Sequence, residues 1–133
     1  MEIQCLKGTE KRMYELIAPL IMNADIIRIN NNYPFKTSEQ YLWYVIINNG
    51  AAESFMPLKP TKTGYCIDNY YIKDDDKVAI DTLLKRILDD LSESNNITAL
   101  VCKRHVKYFI DNGFVTWMEL KNYNKMDYKS GEQ

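Results

Sequence analysis

Apolar positions recur along the chain with two different periods, and their order predicts a layer of strands flanked by helices. Residues 3–7 read as a short strand closed by Gly8 and Thr9. Thr9 is placed to cap a helix in which Met13, Leu16, Ile17, Leu20 and Ile21 repeat at helical spacing. Pro19 falls inside that stripe and should bend or shorten it. Residues 24–29 predict further helical turns, broken by Asn30-Asn31-Asn32 and Pro34. From Tyr41 to Ile47 the pattern becomes aromatic and β-branched, and Asn48-Asn49-Gly50 predicts a hairpin turn. Residues 51–58 form the returning strand, ended by Pro57 and Pro60. Thr63-Gly64 turns the chain again, and residues 65–72 predict a third strand in the well-packed middle of a meander.

The clearest helix follows, with Ile80, Leu83, Leu84, Ile87, Leu88 and Leu91 in one stripe and Lys85, Arg86, Asp89 and Asp90 on the opposite side. Residues 97–102 predict a buried strand. A short helix over 103–111 is expected to bury Val106, Phe109 and Ile110 and to end at Asn112-Gly113. Residues 114–120 predict a further strand, residues 126–128 add pairing, and residues 129–133 are expected to fray.

Composition narrows the function. A chain of 133 residues fits one domain over 1–133, and 46% hydrophobic with 26% charged residues describes a folded globule. Seventeen basic against eighteen acidic residues leave a net charge of −1, so no basic field invites nucleic acid or an anionic membrane. No apolar run approaches the ~20 residues of a membrane span, and Met1-Glu2-Ile3-Gln4 does not open a signal peptide. The expected compartment is the cytoplasm. Cys5, Cys66 and Cys102 lie far apart beside apolar neighbours, as small buried thiols do, and the single histidine, His105, leaves a metal site short of ligands.

The fold class expected from this order is α/β (α+β): a mixed, mainly antiparallel sheet flanked by helices. Three segments carry a resemblance to a known family. Tyr44 to Gly50 is similar to the strand and turn that open its meander. Tyr70-Tyr71-Ile72, running through a polar loop into Leu83-Leu84, takes the place of its cofactor loop and central helix. Tyr108-Phe109-Ile110-Asp111-Asn112-Gly113-Phe114 resembles its closing helix and terminal Gly-Phe. On these segments the chain resembles the GNAT superfamily of N-acetyltransferases over nearly its whole length. The resemblance implies acyl transfer from acyl-CoA to an amine. It puts Tyr71, Ile72, Lys73, Lys77 and Val78 where the cofactor would lie.

The sequence departs from that family where the cofactor's pyrophosphate is held. A glycine-bearing loop there offers backbone N–H groups at a helix start. Here Lys73-Asp74-Asp75-Asp76-Lys77-Val78 contains no glycine, and its three carboxylates are expected to fill the helix's free N–H groups themselves. Acetyl-CoA binding should therefore be weak or absent. The family's proton-donating tyrosine falls on Phe109, which leaves the adjacent Tyr108 as the acid candidate. Asp68 and Glu53 on the meander strands are the candidate bases, with Asp68 preferred. Against each stands a plainer role: Asp68 and Glu53 as solvent-facing strand residues, Asp74 to Asp76 as a helix cap rather than a cation site, and His105 as a solvated helix residue. Likewise, Trp43, Tyr44, Tyr65, Tyr70 and Tyr71 would pack in the sheet rather than line a groove. The partner is then an amine or protein, and the alternative function is a non-catalytic binding module on the same fold.

Overall fold

In the computed structural model, which describes residues 1–129, the chain runs β1 (Glu2–Lys7), α1 (Lys11–Ile21), α2 (Ala24–Ile29), β2 (Leu42–Asn48) and β3 (Ala51–Pro60). It continues through β4 (Gly64–Ile67), α3 (Lys77–Leu91), β5 (Asn96–Cys102), α4 (Val106–Asp111), β6 (Phe114–Glu119) and β7 (Tyr123–Tyr128). Seven strands share one sheet in the order β1-β2-β3-β4-β5-β7-β6. Every neighbouring pair is antiparallel except β4 with β5, which α3 joins by a crossover. The fraying expected after Lys129 lies outside the described residues.

Alternation along the strands decides which side chains enter which layer. On one face, Tyr44, Ile46, Met56, Leu58, Ile67 and Ala99 meet Ile80, Leu83, Leu84 and Ile87 of α3. Leu84 is fully buried, and moving such a side chain out of water contributes about 1.5–3 kcal/mol. On the other face, Leu6, Trp43, Val45, Ile47 and Phe55 pack under Met13, Leu16 and Ile17 of α1. These strand residues come from β1, β2 and β3 alone. Beyond β3 this face is not roofed by α1, a gap that matters below.

Local chemistry explains the turns and several departures from expectation. Asn49 (φ 51°) and Gly50 (φ 80°) give the left-handed pair that a tight hairpin between β2 and β3 requires. Gly64 is needed for another reason: a Cβ there would overlap the backbone carbonyl of Asn96 on the neighbouring strand. Thr9 does not cap α1. The residue before that helix is Glu10, whose carboxylate accepts from the Lys7 N–H at 2.6 Å. Pro19 sits in the last turn of α1, so the helix runs on to Ile21. Ile110 is 54% exposed, whereas Phe109 is fully buried, because so short a helix presents a narrow inward face. Cys5 is exposed rather than buried, since β1 forms one edge of the sheet. Trp43, Tyr44 and Tyr70 are core residues, and Tyr65 and Tyr71 are half-buried.

The third strand of the meander is shorter than the apolar run suggests. Pairing with β5 spans Gly64–Ile67 against Asn96–Ala99 and then stops. Asn69 adopts φ 53°, which turns the chain out of the ladder. Tyr71 rejoins only β3, exchanging both backbone hydrogen bonds with Phe55 at 2.9 and 3.0 Å.

Candidate functional site

β4 and β5 part after four paired residues, and β5 continues to Cys102 in the company of β7. Tyr70 spans the opening. Its hydroxyl oxygen accepts from the Cys102 N–H at 3.2 Å, and the same hydroxyl lies 2.7 Å from Nδ1 of His105. Nε2 of His105 is in turn 2.7 Å from Oδ1 of Asp75, an oxygen that also accepts from Nε of Arg104 at 2.9 Å. Burial pushes the Tyr70 phenol far above its ordinary range, so it keeps its proton and donates. Burial also lowers the His105 imidazole, and it outweighs the opposing hydrogen bond from Asp75. A neutral ring between a donor and a carboxylate takes one tautomer: Nδ1 accepts from Tyr70, and Nε2–H donates to Asp75. Burial works upward on Asp75, but hydrogen bonds from Arg104 and His105 hold its carboxyl below the usual range.

His105 is thus not a solvated helix residue. It is 2% exposed, because a single 3₁₀ turn over Lys103–His105 swings it inward before α4 begins. Nothing local in the sequence announces this chain of groups. Asp75, Tyr70 and His105 are separated by up to 35 positions, and only the fold brings them together.

The turn before α3 uses its donors internally. The Lys73 N–H bonds Oγ of Ser54 at 3.0 Å, and the N–H groups of Asp75 and Asp76 bond carbonyls of Ile72 and Lys73, both at 3.2 Å. Of the three carboxylates expected to cap the helix, only Asp76 does so, accepting from the Val78 N–H at 2.9 Å. Asp75 is committed to Arg104 and His105. Asp74 stands exposed at φ 57°. Lys73 pairs with Glu53 at 3.4 Å and Lys77 with Asp81 at 2.6 Å. A diphosphate approaching here meets two lysines already paired with carboxylates and the further carboxylates of Asp74, Asp75 and Asp76, a set that suits an anion poorly.

On the unroofed face lies a cleft of about 380 Å³, lined among others by Tyr33, Lys36, Tyr41, Lys59, Asp68 and Tyr123. Lys59, Asp68 and Leu100 also border a neighbouring hollow of about 330 Å³ that adds Cys66, Thr98 and Trp117. Asp68 stands where the chain leaves β4. Burial raises its carboxyl, with the Asn69 N–H and the charge of Lys59 pulling the other way.

The remaining candidates are scattered. Tyr108, on α4, stacks on His105 at 6.4 Å and lies between the ammonium groups of Lys77 (6.0 Å) and Lys107 (5.2 Å). It does not share the cleft of Asp68. Glu53 is tied to Asn48 and Lys73 on β3. Tyr71 and Ile72 border a closed hollow of about 10 Å³ with Tyr70, Cys102 and His105. Lys77 instead lines a groove between α3 and α4, and Val78 is exposed. The cleft residues Tyr33, Lys36, Tyr41, Lys59 and Tyr123 were not legible in sequence, because they come from loops and strands with no common spacing.

No family model matches this sequence, and no curated protein matches it significantly. Solved structures do resemble it. An acyl-CoA N-acyltransferase from Pseudomonas aeruginosa superposes with a TM-score of 0.76 at 11% identity, over 97% of this chain and 100% of that one. ElaA from Escherichia coli does so with a TM-score of 0.73 at 11% identity, with the same coverage. The N-acetyltransferase PseH from Campylobacter jejuni, in complex with acetyl coenzyme A, gives 0.58 at 14% identity over 98% and 100% of the two chains. At such identities the likeness establishes architecture. The chain has the GNAT N-acetyltransferase fold, as its sequence segments implied.

Proposed function

We propose that this chain is an N-acyltransferase-like protein that places an acyl group on an amine bound beside Asp68, drawing on an acyl-CoA that it holds weakly. The observation that carries this reading is the position of Asp68 at the mouth of the parted strands, in an open cleft and with a raised carboxyl. An amine near neutral pH is an ammonium ion and must lose a proton before its nitrogen can attack a carbonyl. A carboxylate whose pKa is raised toward neutrality is a better acceptor for that proton. The thioester's part is to supply the acyl group. The cleft's part is to hold the amine, exclude competing water and keep Asp68 within reach. Tyr108, lying beside Lys77, belongs to the donor side of this proposal.

A second reading, a non-catalytic binding module, draws support from the Tyr70 bridge to Cys102 and from the carboxylates before α3. A unit charge facing another of the same sign at ~4 Å costs ~4 kcal/mol at an effective dielectric of ~20, enough to turn a micromolar affinity into a millimolar one. Calorimetry with coenzyme A, followed by an acetyl-transfer assay on the parent and Asp68→Asn, separates the two. Weak binding with transfer that Asp68→Asn reduces by ~100-fold or more supports the acyltransferase. No heat at low or moderate salt and no transfer favours the binding module. Transfer left unchanged by Asp68→Asn and Tyr108→Phe removes both residue assignments.

A further inference from the structure

The cleft beside Asp68 carries charges of both signs that form no direct ion pair with one another. Lys36 reaches it from the loop between α2 and β2, Lys59 from β3, and Asp68 from the end of β4. Among the described residues, none of the three has an oppositely charged group within 4.0 Å. Elsewhere on this molecule charged neighbours do pair, as Lys77 with Asp81 and Arg86 with Asp90 show. Three different elements therefore hold these side chains apart around one space.

That arrangement discriminates between ligands by charge. A simple cation gains Asp68 but meets two ammonium groups. A simple anion gains the lysines but meets a half-buried carboxylate. A molecule carrying both an ammonium and a carboxylate satisfies all three. The rest of the lining suits an apolar or flat side chain: Tyr33, Tyr41 and Tyr123 offer ring faces, and Leu100 and Leu120 add aliphatic surface. Tyr123 is positioned by Asn31, whose Nδ2 donates to its hydroxyl at 2.6 Å. A volume of about 380 Å³ lies in the range of small-molecule sites.

We infer that the amine accepted in this cleft is a zwitterion of the amino-acid class, with its ammonium at Asp68 and its carboxylate at Lys36 and Lys59. This rests on reading the cleft as the amine site, but its test needs no acyl donor. Free L-amino acids are screened singly by thermal shift and calorimetry. The best binder is then compared with its methyl ester, which lacks the carboxylate, and its N-acetyl derivative, which lacks the ammonium. Putrescine serves as a purely cationic probe. The free amino acid should bind at least about tenfold more tightly than either derivative or putrescine. Replacing Lys36 and Lys59 together by Ala should abolish the preference over the ester, and Asp68→Asn the preference over the N-acetyl form. These sites lie outside the buried core, and circular dichroism verifies that the variants fold. Absence of binding by every free amino acid, equal binding of the ester or putrescine, or preferences that survive these substitutions would each overturn the inference. Amino-acid binding without acyl transfer would keep this inference and remove the catalytic reading. Transfer to putrescine without amino-acid binding would do the reverse.

Discussion

Replacing Tyr70 by Phe isolates the hydrogen-bonded chain at the parted strands. The ring and its contacts with His105 and Phe109, at centroid distances of 5.5 and 5.8 Å, are kept, and only the hydroxyl is lost. Two groups then lose their partner: the Cys102 N–H and Nδ1 of His105. Tyr70 is 6% and His105 2% exposed, so water does not readily replace the hydroxyl. Leaving a buried polar group unpaired costs about 1–3 kcal/mol, so the two together cost about 2–6 kcal/mol. For 133 residues the unfolding entropy is about 0.28 kcal/mol per degree, and the melting temperature should fall by about 7–21 °C. The chain contains one histidine, so its proton NMR titration reads His105 without ambiguity. Loss of the Tyr70 donor removes a bond that favours the neutral ring, and the His105 pKa should rise. Melting within about 2 °C of the parent, together with an unmoved titration, would refute the geometry described for these three side chains.

Three further outcomes follow from the same structure. Leu84→Asp places an unpaired carboxylate in the fully buried α3 stripe, and circular dichroism should report an unfolded chain; a parent-like melt would reject the helix packing. The folded pKa of His105 lies below its unfolded value of about 6.5. Its contribution is therefore complete above about pH 6.5 and is lost as pH falls toward the folded value, since the unfolded chain binds the extra proton. Denaturant titrations should show that slope in the parent and lack it in His105→Gln. Gly64→Ala must push β4 away from Asn96, so it should destabilise the protein and enhance hydrogen exchange over Gly64–Ile67; unchanged exchange there would contradict the close approach.

Much of the architecture was readable because it depends on local periodicity. The stripe from Ile80 to Leu91 defined α3 and its buried side, and Asn49-Gly50 marked the hairpin. The misses are places where a single residue overrides its neighbours. The run after Tyr65 looks like one long strand, yet the left-handed backbone of Asn69 ends it after Ile67. His105 looks like a surface residue until the turn over Lys103–His105 is known to face inward. Asp75 and Asp76 have the same side chain at adjacent positions, but one caps α3 while the other serves a residue 30 positions away. Asp68 was legible as a carboxylate on the meander. The lysines and tyrosines around it were not, because no spacing rule links a loop before β2 to the end of β3 and the start of β7.

The parallel seam also has a consequence for how the chain is assembled. On one side of it, β1 to β4 form a continuous up-and-down ribbon with near-neighbour pairing; on the other, β5, β6 and β7 form a compact unit closed by α4. The ladder between these pieces has four rungs, from Gly64 to Ile67, and the packing of α3 beneath both sides and the side-chain bonds of Tyr70, Asp75 and Asn31 complete the join. The loop over residues 92–95 is then a natural scission point, beyond α3 and before β5. Two polypeptides divided there would each keep their own ladders and would need to recover one short seam to restore the whole.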